Sequence, residues 1–223
     1  MSAFFSSDNK FFVLMSKIFD VMILGLLWLL FCVPIITIGP ASTALYYTMM
    51  KVIRRERSYL FKEFFRSFKL NFKQGAICTV VYAVLVVVMY IDFTYALELS
   101  KTGSKYGSML IGFFLVLAIF SVFTAVYIFP VLSRFTVTVK NLFKWSFFLS
   151  VRHILWTLLM AVLFVGTAVM LYFSFFYMPP LIIFLPGIYT LIITFPMEHI
   201  FKRYMPQEEE TDEESGVDRW YNE

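Results

Sequence analysis

Charge, cysteine, histidine and the usual catalytic signatures are all scarce in this chain, and each scarcity removes a class of function. Of 223 residues two are cysteine, Cys32 and Cys78, and two are histidine. Both cysteines sit in apolar runs, so neither a disulfide scaffold nor a CxxC metal site is open to them. They read as small apolar residues. No P-loop, GxSxG or HExxH occurs, so an ATPase, a serine hydrolase or a zinc protease has no visible site. Only 15% of residues are charged, against 60% hydrophobic, with 28 Phe and a mean hydropathy of +0.78. A water-soluble domain of this size lacks the interior to hide so much apolar surface, whereas lipid solvates it directly. The composition therefore predicts an all-α, polytopic membrane protein.

A helix needs roughly 20 apolar residues to cross about 30 Å of hydrocarbon. Five segments qualify: about 18–38, 76–96, 108–131, 154–175 and 178–197. The lead MSAFFSSDNK is weakly charged and no small-x-small cleavage site follows it, so the first segment reads as a retained helix. Pro179 and Pro180 suit a tight hairpin between the last two spans. Lysine and arginine divide fifteen to four between the two sides. Residues 40–75, 132–153 and the C-terminal segment carry the fifteen; Lys10, Lys17, Lys101 and Lys105 are the four. The positive-inside bias then puts the N-terminus outside and the C-terminus in the cytoplasm.

The stretch LFKEFFRSFKLNFK, residues 60–73, sets Lys62, Arg66, Lys69 and Lys73 at spacings of four, three and four, on one helical face. Phe61, Phe64, Phe65, Phe68 and Phe72 occupy much of the rest. A basic amphipathic helix over about 58–73 follows, lying along an inner leaflet of anionic lipid. With Lys51, Arg54, Arg55 and Arg57 just before it, this is either a lipid-anchored elbow or a docking face for another membrane subunit. A second such helix, about 138–152, carries Lys140, Phe143 and Lys144. The two regions resemble each other. Thr43-Ala44-Leu45-Tyr46 recurs as Thr124-Ala125-Val126-Tyr127, and Leu60-Phe61-Lys62 as Leu142-Phe143-Lys144. Two parallel repeats, each of span, Tyr-rich cytoplasmic stretch, amphipathic helix and span, with a fifth span added, account for the pattern.

Ionisable groups cluster at span ends. Asp92 alone lies about a turn inside the hydrocarbon, as an interfacial acid or a transport residue. Glu198 and His199 are adjacent, but helical neighbours point about 100° apart and no further His or Cys stands at ligand spacing, so no metal or cofactor is expected. In ITIGPAST, Gly39 and Pro40 break the first span and Ser42 and Thr43 follow. The segment reads as a structural bend or as a helix start whose amides hold an anion. Basic residues flanked by Phe at a membrane surface are already explained by topology and lipid, so nucleic acid is not an expected partner. Residues 1–205 form the membrane domain. Residues 206–223, with eight acids and one Arg, read as a disordered cytoplasmic tail that either solvates or straps onto the basic loops.

Residues 38–77, from Gly39-Pro40-Ala41 through Thr43-Ala44-Leu45-Tyr46-Tyr47 and the basic cluster at 51–57 to Phe61-Lys62-x-Phe64-Phe65-x-Ser67-Phe68-Lys69-x-Asn71-Phe72, resemble the signature region of the YesL-like family of small bacterial membrane proteins. Length and span plan extend the likeness to about residues 5–205. The resemblance implies a role beside carbohydrate ABC importers and carries no catalytic or ligand residues. The expected function is a non-enzymatic accessory protein of carbohydrate import that contacts permease or ATPase subunits, or further copies of itself. A stand-alone small transporter and a membrane sensor or scaffold are the alternatives.

Overall fold

A computed structural model describes residues 10–54, 59–103 and 105–204. Arg55, Arg57 and the acidic tail lie outside the described residues. Helices α1 (Lys10–Phe31) and α2 (Ile38–Thr48) come first. A π-helical stretch, Met49–Arg54, extends α2, and α3 (Leu60–Leu70) follows. Then come α4 (Phe72–Lys101), α5 (Lys105–Arg134), α6 (Val139–Arg152), α7 (Ile154–Tyr177) and α8 (Leu181–Phe201). Among the described residues, four helices, α4, α5, α7 and α8, are long and apolar enough to cross a membrane. The chain is thus an all-helical, multi-pass membrane protein. In α4 and α5 only 11% of the most apolar stretch is buried. Their Val, Phe and Leu side chains therefore face outward, which only a hydrocarbon solvent tolerates.

The first predicted span is corrected. Instead of running through residue 38, α1 stops at Phe31, because Pro34 has no N–H to continue the ladder. The Thr37 hydroxyl closes the break by donating to the Pro34 carbonyl at 2.6 Å. A 3₁₀ turn, Ile35–Thr37, then leads into α2. Gly103, at φ +77°, makes the turn between α4 and α5, and α8 starts after Pro179-Pro180.

The larger correction concerns residues 38–54. Hydropathy makes them a cytoplasmic loop, yet α2 is the innermost element of the protein. Every residue of α2 from Gly39 to Thr48 is buried except Ser42, and it touches α1, α3, α4, α5 and α8. Two apolar clusters flank it. On one side Ala44, Leu45 and Met49 meet Val21, Leu24 and Phe64. On the other, Tyr46 joins Tyr127, Ile128, Leu142, Leu149 and Met197. Glycine permits the closeness. A Cβ on Gly39 would lie 2.3 Å from both the Gly75 carbonyl and the Thr79 hydroxyl, and one on Gly75 would lie 2.7 Å from the Pro40 nitrogen. Gly25 and Gly187 do the same where α1 crosses α8, the small-residue contact by which helices approach each other in lipid.

The two sequence-similar regions are built differently. Thr43–Tyr46 lies in α2, after the break at Pro34, whereas Thr124–Tyr127 lies inside the unbroken α5. Tyr46 and Tyr127 are nevertheless both fully buried.

Candidate functional site

The C-terminal end of α2 is where charge enters the core. Glu198 on α8 accepts from the Tyr46 hydroxyl at 3.3 Å and pairs with the Arg134 guanidinium, at the end of α5, at 3.4 Å. The Arg134 and Glu198 side chains are only 10% and 4% exposed. One turn along, Lys51 pairs with Glu63 of α3 at 3.4 Å and donates to the Tyr47 hydroxyl at 3.2 Å. Lys51 also lies over the Tyr47 ring. Carboxylates removed from water this far are tolerated only with a cation and hydrogen bonds close by. The separations exceed the 2.7–2.9 Å of the tightest charge-assisted bonds. Attraction between charges, more than ideal fork geometry, therefore holds these pairs. Together they tie α2 to α3, α5 and α8.

The predicted residues fall into two sets. Phe61, Lys62, Phe65, Lys69, Phe72 and Lys73 are exposed, as are Lys140 and Lys144 on α6. Arg66 is half-buried. Phe64 is fully buried, however, and Phe68 packs on Phe31 with ring centroids 4.8 Å apart. The inward face of α3 thus comprises Glu63, Phe64 and Ser67 and does not follow the phenylalanines. Phe143 stacks on Tyr82. Lys51 is drawn inward by Glu63. Arg54 ends the π-helical stretch. Asp92 is half-buried towards the far end of α4, remote in sequence from the charged cluster.

At the ITIGPAST bend the backbone and hydroxyl groups bond within the protein. The Gly39 N–H donates to Thr79 Oγ1 at 2.9 Å, and that hydroxyl donates onward to the Gly75 carbonyl. Pro40 has no N–H to offer. Thr43 Oγ1 donates to the Gly39 carbonyl, and Trp28 Nε1 donates to Ser42 Oγ at 3.0 Å. The polar groups of this helix start are consumed in packing α2 against α4 and α1. Both cysteines are free.

Sequence reading missed Arg134 and Glu63, and it weighed Glu198 only against its neighbour His199. The available signal was the repeated Thr-Ala-x-Tyr. Each tyrosine hydroxyl has a buried partner, Glu198 for Tyr46 and Thr157 for Tyr127 at 2.9 Å. Among the described residues, no three of His, Cys, Asp or Glu come together as metal donors.

A second polar corner lies where α6 meets α7. His153 Nε2 is 3.2 Å from the Tyr204 hydroxyl, and Arg152 lies over the Tyr204 and Phe148 rings. Burial, then Arg203, Arg152 and His199, push the His153 pKa below the usual histidine value. A folded-state pKa below the unfolded one means that the unfolded chain takes up the proton first. Stability should therefore fall as pH drops below about 6.5, and level off once the folded state has also protonated. Thermal unfolding in detergent between pH 7.5 and 5 should show this slope, and His153→Gln should flatten it. An unchanged slope in that variant would assign it elsewhere.

Residues 21–93, from α1 to most of α4, match the family described as "Protein of unknown function, DUF624". The chain is 30% identical over 166 residues to the "Uncharacterized protein YteU" of Bacillus subtilis (strain 168), covering 72% of this chain and 70% of that protein. To the "Uncharacterized protein YesL" of the same organism it is 25% identical over 175 residues, covering 77% and 79% respectively. No solved structure matches it significantly. The matched segment contains α2 with its glycine contacts, the Lys51–Glu63 pair and the phenylalanine cluster of α3, and with likeness to both relatives extending over most of its length, the chain belongs to the YesL-like, DUF624 family of membrane proteins.

Proposed function

We propose that this chain is a non-enzymatic accessory protein of carbohydrate import, working beside an ABC-type importer in the bacterial cytoplasmic membrane. In this reading α1 is a fifth span, since its 22 residues reach about 33 Å at 1.5 Å per residue. The N-terminus is outside and the C-terminus cytoplasmic, following the Lys and Arg distribution. The observation that carries the proposal is the outer face of α3. Phe61, Lys62, Phe65 and Lys69 all stand exposed on a helix whose inner face is clamped to α2 by Glu63 and Phe64. Exposed rings beside exposed cations on a rigidly held helix suit an interface with anionic lipid or with a membrane subunit. Lys140, Lys144, Trp145 and Phe148 give α6 a similar face.

Affinity purification in mild detergent from cells grown on glycans tests this directly. Permease or ATPase subunits should co-purify in stoichiometric amounts. Reversing charge at Lys62, Arg66, Lys69 and Lys73 together should reduce that recovery and sugar uptake by about tenfold or more, at roughly 1 kcal/mol per lost cation. Equal recovery and uptake would dismiss the α3 face as the contact.

The stand-alone transporter is less well supported. Sugar paths need several polar side chains free to bond hydroxyls, and those facing the cavity described below are mostly engaged within the protein.

A further inference from the structure

A cavity of about 320 Å³ lies among α1, α2, α5, α7 and α8. Its volume is at the lower end of the roughly 300–1,000 Å³ typical of small-ligand sites. We infer that it holds the acyl chain of a bilayer lipid, entering beside α7. This is independent of the import reading.

The polar inventory of the wall selects the ligand chemistry. Trp28 donates to Ser42, and Tyr46 donates to Glu198. The Thr167 and Thr190 hydroxyls each donate to a carbonyl of their own helix at 2.8 Å. Among the described residues, that leaves the Tyr189 hydroxyl as the polar side-chain group of the lining without a hydrogen-bond partner. A sugar placed here would leave most of its hydroxyls unsatisfied, at a cost of about 1–3 kcal/mol each. A hydrocarbon chain leaves none, and one ester or carboxyl oxygen could accept from Tyr189.

The position of the opening selects the source. Ala168 and Phe164 belong to the lining and are exposed on α7, a membrane-crossing helix with little of its apolar surface covered by protein. The approach to the cavity is therefore from hydrocarbon, where acyl chains are the prevailing solute. At the inner end of the wall, Tyr46 joins the cavity to the Glu198–Arg134 pair. Occupancy thus bears on the most heavily charged part of the core.

The test uses the full chain with Trp145, Trp156 and Trp220 replaced by Phe, leaving Trp28 on the cavity wall. It is reconstituted in phosphatidylcholine vesicles with dibrominated acyl chains. Trp28 fluorescence should fall by at least about half, since such pockets bury most of their ligand's surface. Ala168→Phe, which fills the cavity from its lipid side, should restore most of it, and Ala125→Phe on the α5 wall should act likewise. Equal quenching with and without these fillers, or quenching by a short free bromoalkane but not by brominated lipid, would overturn the inference. Native mass spectrometry of the unsubstituted protein serves as a check that does not depend on how the variants fold. One lipid per chain should survive delipidation, and its absence would also overturn the inference.

Discussion

Glu198→Ala should be the most damaging single substitution of a charged residue in this protein, lowering stability by about 3–5 kcal/mol. That is a large share of the 5–15 kcal/mol typical of a folded domain. The substitution removes the carboxylate that pairs with the buried Arg134 guanidinium and accepts from the Tyr46 hydroxyl. Arg134→Met should cost nearly as much, because it takes a cation away from a buried carboxylate. The double variant Arg134→Met/Glu198→Leu should recover most of the loss, since removing both charges also removes their desolvation cost. Thermal unfolding of the purified protein in one detergent compares all four forms. Simple addition of the two single losses in the double variant would show that the pair is not coupled. Glu198→Gln keeps an acceptor for Tyr46 and should lie between wild type and Glu198→Ala.

The second large effect is expected at a residue with no side chain. Gly39→Ala places a methyl group 2.3 Å from the Gly75 carbonyl and the Thr79 hydroxyl, against backbone that cannot swing aside. Overpacking of this kind costs about 1–3 kcal/mol and sometimes more. The same change also strains the hydrogen bond from the Gly39 N–H to Thr79. Gly39→Val should give a protein that is poorly recovered from membranes. The control lies in the same chain: Gly112 and Gly166 have open space where a Cβ would go. Alanine at either should be neutral or gain up to about 1 kcal/mol from helix propensity. If Gly39→Ala unfolds at the same temperature as Gly112→Ala, α2 does not need its close approach to α4.

The contrast among these glycines indicates what the sequence could reveal. The α4, α5, α7 and α8 helices are legible because a long apolar run has one favourable destination, and Gly103 and Pro179-Pro180 mark breaks that chemistry enforces. The burial of α2 is not legible. Its Gly, Pro, Ser, Thr and Tyr read as loop in any hydropathy window, and the basic run after Met50 reads as surface. What reverses that assignment is tertiary: hydroxyls that bond to helices distant in sequence, and glycines whose missing side chains admit α4. Amphipathic spacing misled for a related reason. It identified α3 as a helix but assigned its faces by polarity, whereas Lys51 turns Glu63 inward and the Phe31 ring draws in Phe64 and Phe68. A charge with a partner breaks the rule that charged residues face out, and partners far along the chain cannot be seen in a periodicity.

The placement of α2 also bears on how the protein is made. Besides α1, its partners belong to residues synthesised later: Thr79, then Phe129, and finally Glu198, 152 positions after Tyr46. While the ribosome is still translating α7, Tyr46 and Arg134 already exist and their carboxylate does not. Non-local contacts are slow to form, and chains that wait for them expose surfaces that misassemble. The last helix to leave the ribosome therefore completes the first part of the core, and a chain truncated before residue 181 would be expected to be retained and degraded rather than persist as a shorter membrane protein.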